Sequence, residues 1–353
     1  MHTHDSHESP SGMSTTEPGD SPRDTASDGV RSRFAVGALE YRIPPIANKL
    51  PYMLGGLTFV GLTVLVVTGI LLDQYYNPNP VAAHDSIVYI MTRMPLGAWL
   101  RGVHYWGAAA VLVTSLLHLI YVFWRRSYHR PREVTWLAGV ALNLVIFALV
   151  FTGSVLRADQ EGVEALAHAV AGAGLTGPLG APLTPGFTPS TSLLARLHNA
   201  HVSLLPLALF GLVALHFFLI RNLGIHASEP ATVPFTRHLR RLTGYGLLLT
   251  SVLGVLAVAL PPGIGFAGIE GVEVTKPFWP FLWIYAVENT MGLWGMILAP
   301  LVLFGFLFAV PLLDRGIGDR PPSWLRIVGV ILLVLYVGGI IYGALAPQMQ
   351  HIM

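Results

Sequence analysis

Seven stretches of mostly apolar residues follow one another along the chain, separated by more polar segments. Each is close to the length of about 20 residues that a helix needs to cross the hydrocarbon core of a bilayer. The pattern therefore predicts an all-α integral membrane protein with seven transmembrane spans. These spans comprise residues 51–72, 103–124, 136–156, 202–221, 245–260, 291–313 and 324–345.

The composition agrees with a polytopic membrane protein and not with a soluble domain. Of the 353 residues, 53% are hydrophobic and 11% are charged. The absence of cysteine excludes disulfides, iron–sulfur clusters held by thiolates and haem attached through thioether bonds. Any prosthetic group must be held by non-covalent contacts or by metal–ligand bonds.

Basic residues are concentrated on one side of the predicted membrane. They lie before the first span, between the second and third at 125–132, between the fourth and fifth at 237–241, and between the sixth and seventh at 315–326. The three long connections on the other side contain more acidic residues. The positive-inside rule then predicts a plasma-membrane protein whose N-terminus is cytoplasmic and whose C-terminus is outside.

Residues 1–35 differ from the rest of the chain. They are rich in Ser, Thr, Asp and Pro and contain no apolar run, which predicts a disordered polar tail and not a signal peptide. We interpret His2, His4 and His7 in this tail as solvated residues.

Four histidines inside two of the spans carry the chemistry. His104 and His118 are fourteen residues apart in the second span, and His201 and His216 are fifteen apart at the fourth. These spacings are about 3.9 and 4.2 helical turns, or roughly 21 and 22 Å, so both imidazoles of a span leave one face near opposite membrane surfaces. Both spans run in the same direction, which pairs His104 with His201 outside and His118 with His216 inside.

We interpret the two pairs as axial ligands of two non-covalent b-type haems in a four-helix bundle, because histidine is a usual haem ligand. The alternative is a haem-free transporter in which such a histidine relays protons. The other histidines lie in predicted loops or at helix ends, where a solvated or capping role is expected. They are His84, His129, His168, His198, His226, His238 and His351.

Glycines repeat the histidine spacing on the two neighbouring spans. Gly55 and Gly69 on the first, and Gly139 and Gly153 on the third, are also fourteen residues apart. A residue without a side chain lets a flat macrocycle approach the backbone, so these glycines are candidate haem contacts. Ordinary packing of small residues between membrane helices is the alternative.

Several stretches between residues 43 and 347 resemble cytochrome b of Rieske/cytochrome bc-type complexes. These stretches include YMLGGLTFVGLTVLVVTG, HYWGAAAVLVTSLLH, FTGSVLRADQ and RLHNAHVSLLP. The fifteen-residue histidine spacing is similar to the chloroplast and cyanobacterial branch, and the last three spans are similar to its separate subunit IV. The resemblance implies a dihaem bundle over 36–228 and a subunit IV-like domain over 229–353.

The resemblance also implies a function. Such proteins oxidise quinol at the outer face, pass one electron to a Rieske iron–sulfur protein and the other through the outer and inner haems to quinone. A c-type cytochrome or another acceptor and a second copy of the chain are further expected partners, and nucleic acid is not. Arg221 matches an arginine near the family's inner quinone site, although a helix-end arginine that extends to the membrane surface is equally expected.

The outer quinol site departs from the family. The signature Pro-Glu-Trp-Tyr is here Pro277-Phe278-Trp279-Pro280, so Pro277 and Trp279 are candidate quinone contacts but the proton-accepting glutamate is missing. Quinol oxidation releases protons and requires a base. We hypothesise that Glu288 replaces it at the start of the sixth span. A solvated loop acid is the alternative reading of Glu288. The other acids expected on the outer side are Asp159, Glu161, Glu270 and Glu273.

The altered signature also favours a different class of function. The chain could be a dihaem membrane anchor that couples the quinone pool to a dedicated dehydrogenase or reductase without bifurcation. A Rieske protein that accompanies the chain would distinguish the quinol-oxidising cytochrome b from the membrane anchor. Haem absorbance would distinguish both from a haem-free transporter.

Overall fold

The computed structural model describes residue 39 and residues 41–352, so the predicted disordered tail at 1–35 lies outside the described residues. The described part is all-α apart from one short strand pair. Its ten α-helices are α1 Leu50–Asp73, α2 Ala83–Thr92, α3 Gly97–Trp124, α4 Glu133–Val155, α5 Gln160–Leu175, α6 Leu193–Leu223, α7 Phe235–Ala259, α8 Leu282–Met291, α9 Leu293–Leu313 and α10 Ser323–Leu345.

Seven of these helices are long and apolar enough to cross a membrane, which confirms the predicted number of spans. They are α1, α3, α4, α6, α7, α9 and α10. The largest differences in bounds are at α6 and α7, which begin nine and ten residues before the predicted 202 and 245. Polar and charged residues near both starts hid them, because the sequence interpretation relied on uninterrupted apolar runs.

Helix α6 contains a wide turn of π-helix over Ala200–Leu204, which includes His201. Pro206 explains this π turn, because proline has no N–H to donate to the carbonyl of Val202, four residues before it. A π turn accommodates one extra residue and often occurs at a functional site.

Three shorter helices, α2, α5 and α8, lie in connections that the sequence interpretation treated as loops. Asp159 is the N-cap of α5, and its carboxylate accepts a hydrogen bond from the backbone N–H of Gly162 at 3.0 Å. These helices place side chains of the long connections in fixed positions beside the bundle.

The bundle consists of two helix pairs, α1 with α3 and α4 with α6, that meet around a shared apolar core. The later helices pack on this bundle: α7 against α1 and α3, and α9 against α4 and α5. At Gly102 on α3, a Cβ would lie 2.8 Å from the Cβ of Ala257 on α7, so the glycine permits the close approach of these helices. The core consists of Leu62, Val111, Leu112, Ile146 and Leu209.

Two polar contacts join the four-helix bundle to the helices that follow it. One lies just before α1, and the other lies where α3 and α9 end. Strand β1, Arg42–Ile43, pairs antiparallel with β2, Val233–Pro234, just before α7. Asp314 after α9 receives hydrogen bonds from the Arg126 guanidinium at 2.7 and 2.8 Å and from the Tyr128 hydroxyl at 2.7 Å. The Arg126–Asp314 pair is buried, so it depends on complete hydrogen bonding.

Candidate functional site

The structure brings His104 on α3 and His201 on α6 together. Their ring centroids are 6.5 Å apart and their planes differ by 63°. Imidazole nitrogens bind metals at about 2.0 Å, so two rings on opposite sides of one metal atom have centroids about 6 to 7 Å apart. The separation therefore fits two axial ligands of one iron atom.

Hydrogen bonds also fix which nitrogen of each outer histidine is free. Thr68 lies 2.9 Å from Nδ1 of His104 and donates its hydroxyl hydrogen to the Val64 carbonyl at 2.8 Å. A hydroxyl has one hydrogen to donate, so it accepts from Nδ1–H, and Nε2 of the neutral ring keeps its lone pair. This arrangement is typical of metal-binding histidines, whose second nitrogen is held by another group.

The same arrangement recurs at His201. Thr152 lies 2.8 Å from Nδ1 of His201 and donates to the Ala148 carbonyl at 2.9 Å. Both threonines directly precede an outer glycine, Gly69 or Gly153. Sequence reasoning missed the threonines, although the repeated Thr-Gly pair on α1 and α4 was a usable signal.

The inner histidines, His118 and His216, are held differently. Their buried Nδ1 atoms have no hydrogen-bond partner among the described residues. The residues before the facing glycines, Leu54 and Ala138, carry no hydroxyl. The outer and inner sites therefore differ in the groups that surround their ligands, and such groups tune a bound metal.

Each of the four candidate glycines faces one of the four histidines. A Cβ placed on the glycine would lie between 3.1 and 3.5 Å from an imidazole carbon. Gly55, Gly69 and Gly153 therefore make room for the imidazole rings, whereas a Cβ at Gly139 would make an ordinary contact. The predicted contact of the four glycines with a macrocycle stays a prediction. The pairs are Gly55 with His118, Gly69 with His104, Gly139 with His216, and Gly153 with His201.

The altered Pro-Phe-Trp-Pro segment lies beside the outer histidines. The ring of Phe278 is 5.3 Å from that of Tyr105, the residue after His104. Trp279 packs against the core of the bundle, and Phe281 packs edge to face on Phe147 of α4 at 4.8 Å. The connection before α8 is thus held against α3 and α4 next to the outer pair.

Of the acids considered from the sequence, Glu161 on α5 is associated with this segment. It lies 2.7 Å from the Arg157 guanidinium, which also lies 3.3 Å from Asp159. Its Oε1 is buried and has no partner in the described chain. Burial raises the pKa of Glu161, and Arg157 and the backbone amide of Phe278 oppose that rise. The site therefore contains a largely buried carboxylate beside Phe278.

Glu288, the acid proposed from the sequence, lies on α8 before the sixth span begins. Its side chain is buried, so the alternative of a solvated loop acid is wrong. Burial raises the pKa of Glu288, and the neighbouring His168 and His351 oppose this. Glu288 faces these histidines, 3.6 Å from Nε2 of His168.

Three histidines interpreted as solvated or capping residues are instead largely buried and paired. His198 contacts Asp73 at 2.7 Å and stacks on Tyr76, and both His168 and His351 contact Glu273. Their partners lie 70 or more residues away in sequence, so spacing along the chain gave no signal of these contacts.

Arg221 lies at the end of α6 with an exposed side chain. Its guanidinium stacks 4.0 Å above the ring of Tyr41, just before β1. Burial raises the pKa of Tyr41, and Arg221 partly offsets the shift. The arginine is therefore anchored at the end of the bundle where the inner quinone site is predicted.

Comparison with known proteins agrees with this geometry. Residues 40–224 match the family model described as cytochrome b/b6/petB. The cytochrome b subunit of menaquinol:cytochrome c reductase from Geobacillus thermodenitrificans is 37% identical over 182 residues, covering 49% of this chain and 80% of the relative. Cytochrome b6 of Heliobacterium mobile is 34% identical over 202 residues, covering 56% of this chain and 94% of that protein.

The fold also matches a solved structure beyond the region of the family model. A chain of a hyperthermophilic respiratory complex III aligns with a TM-score of 0.76 and 23% identity, covering 92% of each chain. The match therefore includes the three spans that follow the bundle, and it shows a common fold for the whole transmembrane region.

Proposed function

The chain belongs to the cytochrome b/b6 family, and from that premise we propose that it is the dihaem cytochrome b of a quinol-oxidising electron-transfer complex. The observation that carries the proposal is the outer pair, in which both imidazoles keep Nε2 free at the separation that one iron atom requires. His104 and His201 would hold the outer haem, and His118 and His216 the inner haem.

When bound, the two haems supply a one-electron path across the membrane. The chain's own contribution is to hold the ligands on rigid helices and to exclude water. Thr68 and Thr152 fix the orientation of the outer rings, and Gly55, Gly69 and Gly153 leave room for the imidazoles that face them. The basic loops support an orientation with the N-terminus in the cytoplasm and the outer pair near the opposite surface.

Quinol is the substrate that we propose, because the Geobacillus relative is named as part of a menaquinol reductase. Its pocket would lie beside Tyr105, where the chain segment from Pro277 to Trp279 packs against the bundle. Quinone reduction would occur at the other surface, near Arg221. Residues 36–228 would form the dihaem bundle and residues 229–353 the subunit IV-like domain.

We propose that the chain works in a complex with a Rieske iron–sulfur protein, with a c-type cytochrome or another acceptor, and with a second copy of itself. The substitution of Phe278 for the family's glutamate favours a second candidate, a dihaem anchor that serves a dedicated dehydrogenase or reductase. Purification in mild detergent separates the two. A Rieske protein that co-purifies supports the first, and a flavin- or molybdenum-containing partner supports the second.

A redox titration of the purified protein, followed optically and combined with a haem count per chain, tests the dihaem proposal. We expect two b-type haems with distinct midpoint potentials, because among the described residues only the outer histidines are hydrogen-bonded to threonines. A single haem, or none, would overturn the dihaem proposal.

Glu161 is the proton acceptor that the geometry favours, and Glu288 is the second candidate. In Glu161→Gln, quinol oxidation should slow by about 100-fold or more, the usual contribution of a general base. A carboxyl with a raised pKa is protonated as the pH falls, so the wild-type rate should decline toward acid pH, and the variant should lose that decline. Arg157 keeps Asp159 as a partner, which limits structural damage.

The parallel variant Glu288→Gln assigns the role. The role of base would pass to Glu288 if Glu161→Gln kept the wild-type rate and pH profile of quinol oxidation while Glu288→Gln lost both the rate and its decline toward acid pH. Haem absorbance serves as the folding control for both variants.

A further inference from the structure

Four ionisable side chains meet outside the histidine pairs of the bundle. His168 on α5 lies 3.1 Å from Glu273, and His351 near the end of the chain lies 3.3 Å from the same carboxylate oxygen. Glu288 on α8 approaches His168 at 3.6 Å. Ligand atoms of His168, Glu273 and His351 all lie within 4.8 Å of one another. The cluster thus joins α5, the connection before α8, α8 itself and the C-terminal segment.

We propose that His168, Glu273, Glu288 and His351 form a binding site for a divalent transition-metal ion, with Zn²⁺ as the best match. The site rests on side chains other than those that would hold the haems. Metal binding there requires neither haem binding nor quinol oxidation.

The hydrogen bond of His168 leaves its other ring nitrogen available to bind a cation. Its Nδ1 lies 2.8 Å from the Glu164 carbonyl oxygen, which can only accept, so Nδ1 carries the hydrogen. Nε2 of the neutral ring is then a lone pair that faces the carboxylates of Glu273 and Glu288. A metal ion bound here would accept the lone pairs of all three groups. A histidine held through its second nitrogen by a backbone carbonyl is also typical of metal sites.

Unpartnered atoms in the cluster are a second, independent observation. Glu288 is only 4% exposed, and its Oε1 has no hydrogen-bond partner among the described residues. Nε2 of His351 is likewise buried without a partner in that part of the chain. A buried polar atom without a partner is costly, so these atoms point to a ligand.

Glu273 is held in position for such a role. Its Oε2 accepts the backbone N–H of His351 at 2.8 Å, which leaves Oε1 directed to the two imidazoles. Ligating carboxylates are usually fixed in this way by further hydrogen bonds.

The donor set favours Zn²⁺ over Ca²⁺ or Mg²⁺. Two imidazole nitrogens and two carboxylate oxygens are ligands that zinc binds in tetrahedral sites, whereas Ca²⁺ and Mg²⁺ prefer oxygen alone. A divalent cation would also offset the cost of burying carboxylate charge at Glu273 and Glu288.

The ion would fasten the end of the chain to the outer connections. Met349 donates its backbone N–H to the Tyr285 hydroxyl at 2.9 Å, and the His351 ring packs against that of Tyr285. Both contacts lead to α8, which directly follows the Pro-Phe-Trp-Pro segment. Metal binding would therefore stabilise the structure beside the proposed quinol pocket.

Metal content of the purified full-length protein tests the proposal. The experiment uses a preparation without a histidine tag, in a His2→Gln, His4→Gln, His7→Gln background that removes the tail histidines as competing ligands. After dialysis against metal-free buffer and addition of ZnCl₂, we expect one Zn²⁺ per chain. With Co²⁺ as the probe, we expect visible d–d absorption of a four-coordinate site.

Single variants then identify the ligands. His168→Gln, Glu273→Gln and His351→Gln should each weaken Zn²⁺ binding at least 10-fold, measured by competition with a chelator. The exposed His129→Gln is the matched control and should bind as the parent does. Equal zinc affinity in the ligand variants and the control, or no retained zinc in the parent, would overturn the proposal. Unchanged haem absorbance shows that a variant is folded and separates this outcome from a failure of haem binding.

Discussion

His201→Leu should remove one of the two proposed haems and leave the other in place. Leucine has no metal-binding atom, so the outer iron would keep His104 as its single protein ligand and the buried Nε2 of His104 would face an apolar side chain. The inner ligands lie about four turns away on the same helices and should be unaffected. Haem per chain, measured as the pyridine haemochrome, should fall by half, and quinol oxidation should fall to background.

Two further variants make this expectation specific. His216→Leu should remove the other haem, so its remaining optical and redox signals should differ from those of His201→Leu. His198→Leu is the matched control, because His198 lies on α6 three residues before His201 but pairs with Asp73. It should keep both haems. Identical spectra for His201→Leu and His216→Leu would contradict two separate bis-histidine sites.

The meeting of His104 with His201 could be predicted from the sequence because it depends on the periodicity of single helices. The unequal spacings of fourteen and fifteen residues have a structural reason that periodicity alone did not reveal. The π turn at Ala200–Leu204 accommodates one extra residue in α6, so fifteen residues there correspond to fourteen in α3. Pro206 was the signal for this turn, and it was visible in the sequence.

The environment of the outer acids could not be predicted in the same way. Glu288 and His168 are separated by 120 residues, and Glu273 and His351 by 78, so these contacts depend on how α5, α8 and the C-terminal segment pack. The sequence interpretation treated these segments as loops and their histidines as solvated. Short amphipathic helices between longer spans leave a weak periodic signal, and the pairing of distant polar residues leaves none.

Asp314→Leu should destabilise the protein by about 3–5 kcal/mol, the usual cost of removing one partner of a buried ion pair. The guanidinium of Arg126 would lose both carboxylate oxygens while staying buried, and the Tyr128 hydroxyl would lose its acceptor. Thermal unfolding in detergent, followed by circular dichroism, measures the loss. The exposed pair Arg130–Glu133 provides the control, since Glu133→Gln should cost less than about 1 kcal/mol.

The same pair should give the protein an acid-sensitive link between its two halves. Burial alone raises the pKa of Asp314, but hydrogen bonds from Arg126 and Tyr128 outweigh it and hold the pKa below its ordinary value. A carboxyl whose pKa is lower in the folded state contributes stability above its unfolded pKa, and this contribution is lost as the pH falls through the folded pKa. Wild-type stability should therefore decline in that acid range, and Asp314→Leu should show a smaller decline.

The double variant Arg126→Leu, Asp314→Leu should recover part of the stability that Asp314→Leu loses, because it leaves no uncompensated buried charge. A double variant less stable than Asp314→Leu would mean that Arg126 stabilises the junction through its contacts with the Gly316 and Gly318 carbonyls and not through the ion pair.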